Sequence, residues 1–208
     1  MLEDTGERVI PEKMDITNEL LIEHIARYHF ACQYVEGRVL DIACGSGYGT
    51  HIIAKRCKRN IEEIVGVDND PQVINYAKSK YFHHQSTFLQ GDINDARLPE
   101  KLGLFDRIVS FETIEHLPDE QPFIQHTKQM LKNNGILIVS TPFGKGKGIP
   151  SGHPFHYHQF TKDEFREMFI CEFEEVEFFF QTGALIVPAD FDTEEYFPIG
   201  IAVCRNKR

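Results

Sequence analysis

Apolar residues in this chain fall into short runs separated by turn residues, and these runs alternate with stretches of helical spacing. Val39-Leu40-Asp41-Ile42 is the first such run, and Glu63-Ile64-Val65-Gly66-Val67-Asp68 the second. Thr87-Phe88-Leu89-Gln90, Phe105-Asp106-Arg107-Ile108-Val109-Ser110-Phe111 and Gly135-Ile136-Leu137-Ile138-Val139-Ser140-Thr141 follow. Runs of this length predict buried strands of a parallel sheet. Between them, Tyr48 to about Arg59 reads as a helix. Asn69-Asp70-Pro71 opens another, with Pro71 in its first turn. Leu20, Leu21, Ile25 and Tyr28 repeat at helical spacing within residues 15 to 35. Strand and helix alternate over 38–141, which implies right-handed crossovers. Residues 1–14 read as an irregular arm and Gly144–Gly152 as a flexible loop. Thr161 with Glu164 forms a capping box. Phe173–Phe180 and Ile199–Cys204 read as the last two strands, and the apolar and acidic segment 182–198 as a cover on the substrate side or an interface.

Composition narrows the class. A chain of 208 residues, 41% hydrophobic, predicts one folded domain over 1–208, with an arm and helix (1–35), a core (38–141) and substrate-side loops and last strands (142–208). No apolar stretch is long enough to span a membrane, and Met1–Arg8 lacks the basic and apolar pattern of a secretory signal. The five cysteines are scattered and form no C-x-x-C pair, which reads as reduced cytoplasmic thiols. A net charge of −10 repels polyanions and argues against a nucleic-acid partner.

The first strand runs into Ala43-Cys44-Gly45-Ser46-Gly47-Tyr48-Gly49-Thr50. Glycines here permit a tight turn and a close ligand, with a helix N-terminus beside it. A dinucleotide fingerprint requires glycine or alanine at the position of Thr50. A carboxylate at Asp41 also suits a ligand with a positive centre better than a pyrophosphate. Asp68, about twenty residues beyond the glycines, lies where a carboxylate meets ribose hydroxyls.

Asp41-Ile42-Ala43-Cys44-Gly45-Ser46-Gly47 resembles the glycine-rich motif of the class I S-adenosylmethionine-dependent methyltransferases. The resemblance implies an α/β fold: a three-layer, Rossmann-like, seven-stranded sheet, mostly parallel, with a C-terminal antiparallel hairpin. It implies S-adenosyl-L-methionine as cofactor, held by Asp41, Ala43, Gly45, Gly47, Tyr48, Asp68, Asn69, Asp92, Ile93, Phe111 and Glu112. In it the Gly45–Gly47 loop holds the methionine moiety, Asp68 the ribose, and Asp92 and Ile93 the adenine. Arg8, Tyr28 and Tyr48 are candidate carboxylate partners or lid residues by location. Thr5–Pro11 and Glu23–Tyr28 are similar to a bacterial group associated with polysaccharide genes.

Ligands of open α/β sheets bind beyond the carboxyl ends of the strands. There the sequence places Glu112, Glu115 and His116, which share a face if Glu112–Leu117 is one helical turn, and the histidine-rich run His153–Phe160. Two carboxylates and one or two imidazoles from separate loops suit a divalent metal, Mn or Mg, and such mixed ligation suits Mn, Fe or Zn better than Mg. Glu112-Thr113-Ile114-Glu115-His116, with His156 before Thr161, is similar to small-RNA 3′-terminal 2′-O-methyltransferases. That resemblance implies Glu112, Glu115, His116 and His156 as metal ligands. Without metal, His116, His156 or His158 is the candidate base, with Glu115 also catalytic. The structural alternatives are that Glu112 closes its strand, that Glu115 and His116 cap a turn, and that the histidines form a surface loop. The expected activity is in-line methylation of an oxygen on a small-molecule or sugar acceptor, with RNA 3′-end methylation as the alternative.

Overall fold

Val39, Leu40 and Ile42 are buried because β1 (Gly37–Ile42) lies in the middle of the sheet. The computed structural model describes residues 2, 6, 8–191 and 195–208. Parts of the N-terminal arm and of segment 182–198 therefore lie outside the described residues. The other strands are β2 (Ile61–Asp68), β3 (Ser86–Gln90), β4 (Phe105–Phe111), β5 (Leu131–Pro142), β6 (Phe173–Thr182), β7 (Leu185–Pro188) and β8 (Ile199–Lys207). Their order across the sheet is β3-β2-β1-β4-β5-β8-β6-β7. β1 to β5 pair in parallel, whereas β8 runs antiparallel to both β5 and β6, and β7 antiparallel to β6.

Among the described residues the sheet therefore has eight strands where the resemblance implies seven. The extra one lies in the segment expected to cover the substrate side. Leu185 pairs with Thr182 across a turn at Gly183, whose φ of 54° is left-handed. Pro188 ends this strand, and proline is tolerated there because the strand is at an edge.

Side chains alternate between the two faces, as the pleat requires. Val39, Ile64, Val109, Ile138 and Val203 pack with Leu21, Tyr28, Ala31, Ile53 and Ala54 of helices α1 (Glu19–Ala31) and α2 (Tyr48–Arg56). Leu40, Val65, Ile108, Leu137 and Ala202 pack on the other face. Their partners come from α4 (Leu98–Leu102), α5 (Gln121–Met130) and α6 (Lys162–Ile170). Helix α3 (Pro71–Lys80) adds Ile74 and Ala77 against Phe88 and Cys44. This gives three layers.

Local signals act as expected at two helix starts. Asp70 caps α3 by accepting from the Gln72 amide, and Thr161 and Glu164 form both bonds of their capping box. Helix α2 stops at Arg56 rather than near Arg59, because the Cys57 amide returns to the Ile53 carbonyl and residues 57–60 turn into β2. Among the described residues, no helix is long and apolar enough to cross a membrane.

Candidate active site

The carboxyl ends of β1, β2 and β4 open onto a cleft of two adjoining cavities. The smaller, about 180 Å³, is lined by Ile42, Ala43, Asp68, Asn69, Asp92, Ile93, Glu112 and His116 among others. The larger, about 550 Å³, shares Ala43, Asp68, Asn69, Glu112 and His116 with it. It extends past Gly45, Tyr48, Phe111 and Glu115 to His24, His153 and His156. Its volume is within the range of small-molecule sites, roughly 300–1,000 Å³.

The glycine loop is shaped by Gly45 (φ 55°) and Gly47 (φ 89°), conformations that side chains resist. A Cβ on Gly45 would meet nothing within 4 Å, so the loop faces open space there. A Cβ on Gly47 would lie 2.6 Å from Ala77 and 2.8 Å from Phe88. Gly47 thus seats the N-terminus of α2 against the core and does not line the cleft. Asp68 fastens the loop, accepting from the Gly45 amide at 2.9 Å. Burial raises its carboxyl above the ordinary range.

Asp41 has a different place from the one its spacing suggests. It is completely buried and lines neither cavity. Its carboxylate accepts from Thr50 Oγ1 at 2.6 Å and from the Tyr28 hydroxyl at 3.2 Å. Burial raises its pKa to about 7, against the lowering effect of those two donors. It is a brace under the loop, not a direct counter-charge to a ligand.

Glu112, Glu115 and His116 do not form one helical turn. Glu112 has φ 51°, and only Ile114–His116 form a 3-10 turn. The Glu112 carboxylate accepts from Ser140 Oγ at 2.9 Å and lies 3.9 Å from the buried Arg27 guanidinium. Glu115 is fully buried. One oxygen accepts from Thr141 at 3.0 Å, and the other, Oε1, has no hydrogen-bond partner among the described residues. Burial, with the Glu112 charge behind it, holds the Glu115 carboxyl well above the usual range.

The loop after β5 is fastened beside this turn. The Tyr157 amide donates to the Glu115 carbonyl at 2.9 Å. His116 Nδ1 lies 3.1 Å from the Phe155 carbonyl oxygen. A carbonyl only accepts, so Nδ1 carries the proton, and in the neutral ring Nε2 holds the lone pair. That Nε2 is 3.8 Å from Glu115 Oε1. The His116 and His156 rings meet edge to face at 4.8 Å, and His153 stacks on His156 at 4.2 Å. Burial, then the neighbouring His116 and His153, lowers His156 to about 4.

Candidate ligand atoms of Glu115, His116 and His156 lie within 4.8 Å of one another. Three of the four expected metal ligands thus converge, whereas Glu112 is turned to Ser140. His158 is excluded as the base: it is buried against Phe160 and lines neither cavity. The expected carboxylate partners are engaged within the protein, Arg8 with Asp70 at 2.9 Å, Tyr28 with Asp41, and Tyr48 with His24 Nδ1 at 2.9 Å. His24, which lines the larger cavity, and Arg27, which lines neither cavity but lies 3.9 Å from Glu112, were not visible as site residues in sequence. Their only signal is the spacing His24, Arg27, Tyr28, which puts three polar side chains on one face of α1.

The sequence of residues 35–182 matches the model of a family described as a methyltransferase domain. The chain belongs to this methyltransferase-domain family. A Mycobacterium tuberculosis protein named "Probable S-adenosylmethionine-dependent methyltransferase" is 32% identical over 171 residues, which cover 80% of this chain and 59% of the relative. A ubiquinone biosynthesis O-methyltransferase of Azorhizobium caulinodans is 28% identical over 63% of this chain and 51% of its own length. The methyltransferase domain thus spans little more than half the length of these relatives. Its fold is that of a Thermotoga maritima S-adenosylmethionine-dependent methyltransferase, with a TM-score of 0.66 at 18% identity over 89% of this chain and 90% of the other. The α/β, Rossmann-like architecture with an antiparallel C-terminal end is therefore the methyltransferase one.

The donor set of the domain fits S-adenosylmethionine. Asp68 presents a carboxylate for vicinal hydroxyls, Asp92 and Ile93 offer a polar and an apolar wall, and Gly45 leaves space where a Cβ would stand.

Proposed function

We propose that the chain transfers a methyl group from S-adenosylmethionine to a hydroxyl oxygen of a small-molecule acceptor. The observation that carries this reading is His116. It lines both cavities, its Nδ1–H is fixed on the Phe155 carbonyl, and its Nε2 is left to accept a proton beside Glu115.

Bound donor supplies an electrophilic methyl on a sulfonium. Asp68, Asn69, Asp92 and Ile93 would hold its nucleoside end, and Ala43 and Gly45 the start of its amino-acid end. His116 accepts the acceptor hydroxyl proton at Nε2 as the oxygen attacks. Glu115 Oε1 lies 3.8 Å from that nitrogen and borders the reacting face. The stacked His153 and His156 rings wall the acceptor side of the cavity. Catalysis is then mainly positioning, with proton removal added. The name of the Azorhizobium relative supports an oxygen acceptor, and a sugar hydroxyl fits the same scheme.

A second reading is metal-assisted methylation of a vicinal diol, including an RNA 3′ end. The unpartnered, buried Glu115 Oε1 favours it, because a cation would satisfy that oxygen. Ligand atoms about 2.1 Å from one metal are at most about 4.2 Å apart, so the 4.8 Å spread would have to close by about half an ångström. The base reading needs no such movement.

The test is calorimetric titration of S-adenosylhomocysteine into chelator-treated protein, followed by a radiolabelled methyl-transfer screen. The screen sets phenols and sugars against RNA 3′ ends, with and without Mn²⁺. S-adenosylhomocysteine binding and metal-independent oxygen methylation support the first reading. Labelling only of diols and only with Mn²⁺ supports the second. Absence of S-adenosylhomocysteine binding sinks both.

A further inference from the structure

Helices α1 and α2 each run to the amino end of the strand that follows, β1 and β2, away from the cleft. Those strands are neighbours, with Gly37 opposite Ile61 and the Gly37 amide bonded to the Asn60 carbonyl at 2.9 Å. The C-termini of the two helices are therefore brought side by side, and each ends on a cysteine. The Cys32 amide closes α1 on the Tyr28 carbonyl, and the Cys57 amide closes α2 on the Ile53 carbonyl.

Cys57 Sγ lies 3.7 Å from the Cys32 carbonyl oxygen, and the two thiols adjoin closely enough for one to donate to the other. Both belong to the apolar cluster between these helices and the sheet. Neither lines the cleft. Cys44 and Cys204 are buried in other clusters, and Cys171 is exposed at the end of α6.

The hydrogen bond from Cys32 lowers the Cys57 thiol below its ordinary range, with burial opposing and the Arg56 charge assisting. The same bond, then burial, raises Cys32. A low-lying thiol beside a cation and a second thiol is the arrangement of an oxidisable cysteine with its resolving partner. Cys57 is only 6% exposed, which suits a small oxidant and not a bulky one.

We propose that Cys32 and Cys57 form an oxidation site, at which a peroxide closes them to a disulfide between the ends of α1 and α2. The Cys57 thiolate attacks one peroxide oxygen. An S–O bond forms, the O–O bond breaks, and the hydroxide released takes up the proton that left Cys57. The Cys32 sulfur then attacks the Cys57 sulfur. The S–S bond forms, the S–O bond breaks, and the second hydroxide leaves as water with the Cys32 proton. The two thiols are oxidised by two electrons, and the peroxide is reduced to two waters. The bridge fastens the helix that carries Tyr28 to the helix that opens at the glycine loop. The step involves no methyl donor, so it stands apart from the methyltransferase reading.

The experiment treats the reduced native chain, Cys32→Ser, Cys57→Ser and Cys171→Ser with hydrogen peroxide. Remaining thiols are then blocked in denaturant, and tryptic peptides are mapped by mass spectrometry. Circular dichroism verifies that each variant is folded, and the half-buried Cys32 gives a second variant should the buried Cys57→Ser fail to fold. In the native chain and in Cys171→Ser, a peptide pair linked through Cys32 and Cys57 should appear and vanish with dithiothreitol. The oxidised native chain should melt about 4 °C or more above its reduced form, because the bridge restricts the unfolded chain. Cys32→Ser should show neither the link nor the rise. Oxidation that stops at sulfenic or sulfinic acid without a link overturns the proposal. So does a disulfide found only between chains through Cys171. A link that lowers the melting temperature would mean that the two helix ends must leave their places to meet, which overturns it as well.

Discussion

The Thr50 hydroxyl donates to Asp41 Oδ2 at 2.6 Å inside the core, across the turn that carries the glycine loop. Thr50 stands where a dinucleotide fingerprint has glycine or alanine. The bond gives that departure a physical reason, because a buried carboxylate requires donors. Thr50→Val keeps the shape and removes the donor. It should lower the unfolding free energy by roughly 1.5–3 kcal/mol in urea titrations. Unchanged stability would mean that the Tyr28 hydroxyl alone is sufficient for Asp41.

Asp41 also predicts a pH dependence. Its carboxyl rises from an ordinary 3.8 to about 7 on folding. Between those values the native state holds a proton that the unfolded chain has released. Stability from this group is therefore greatest below pH 4 and declines as pH rises toward 7. Asp41→Asn lacks this titration. Native protein should lose up to roughly 4 kcal/mol relative to Asp41→Asn between pH 4 and pH 8. Parallel stability curves for the two would refute the assignment.

Gly49 packs against a ring and is not needed for a turn. A Cβ there would lie 1.9–2.2 Å from ring atoms of Tyr28. Gly49→Ala should push α1 away from α2 and destabilise the fold by about 3 kcal/mol, the upper end of overpacking costs. The double variant Gly49→Ala/Tyr28→Ala should be less destabilised than the sum of the two single changes. Additive losses, measured by denaturant titration, would place the strain elsewhere.

His116 separates chemistry from binding. His116→Asn retains a donor toward the Phe155 carbonyl but provides no base. Methyl transfer should fall by about 10²- to 10⁴-fold, with S-adenosylhomocysteine affinity nearly unchanged. A parallel collapse of affinity would show that the residue serves the cofactor cavity. His158→Asn, outside the cleft, should leave turnover near the native level.

The sheet, its helix order and the glycine loop were readable from the chain because each depends on local information. Short apolar runs such as Ile64–Val67 suit buried central strands, and Asp70 and Thr161 set helix starts through bonds to near neighbours. The position of the cleft, bordered by Ala43, Asp68, Asp92 and Glu112, was legible for the same reason, since strand ends fix where a cleft lies. The orientation of Asp41 was not legible. Its spacing is that of a ligand-facing acid, but two helices brought together by packing turn it inward to Thr50 and Tyr28. The four-residue strand β7 also escaped, because its pairing depends on a turn at Gly183 and not on its own pattern. The meeting of Glu115 and His116 with His156 is separated by some forty residues, and backbone bonds from the 153–158 loop decide it. Sequence determined which elements form and in what order. Tertiary packing decided which polar side chains reach the cleft, because a side chain's direction depends on the elements packed against it and not on its own neighbours in the chain.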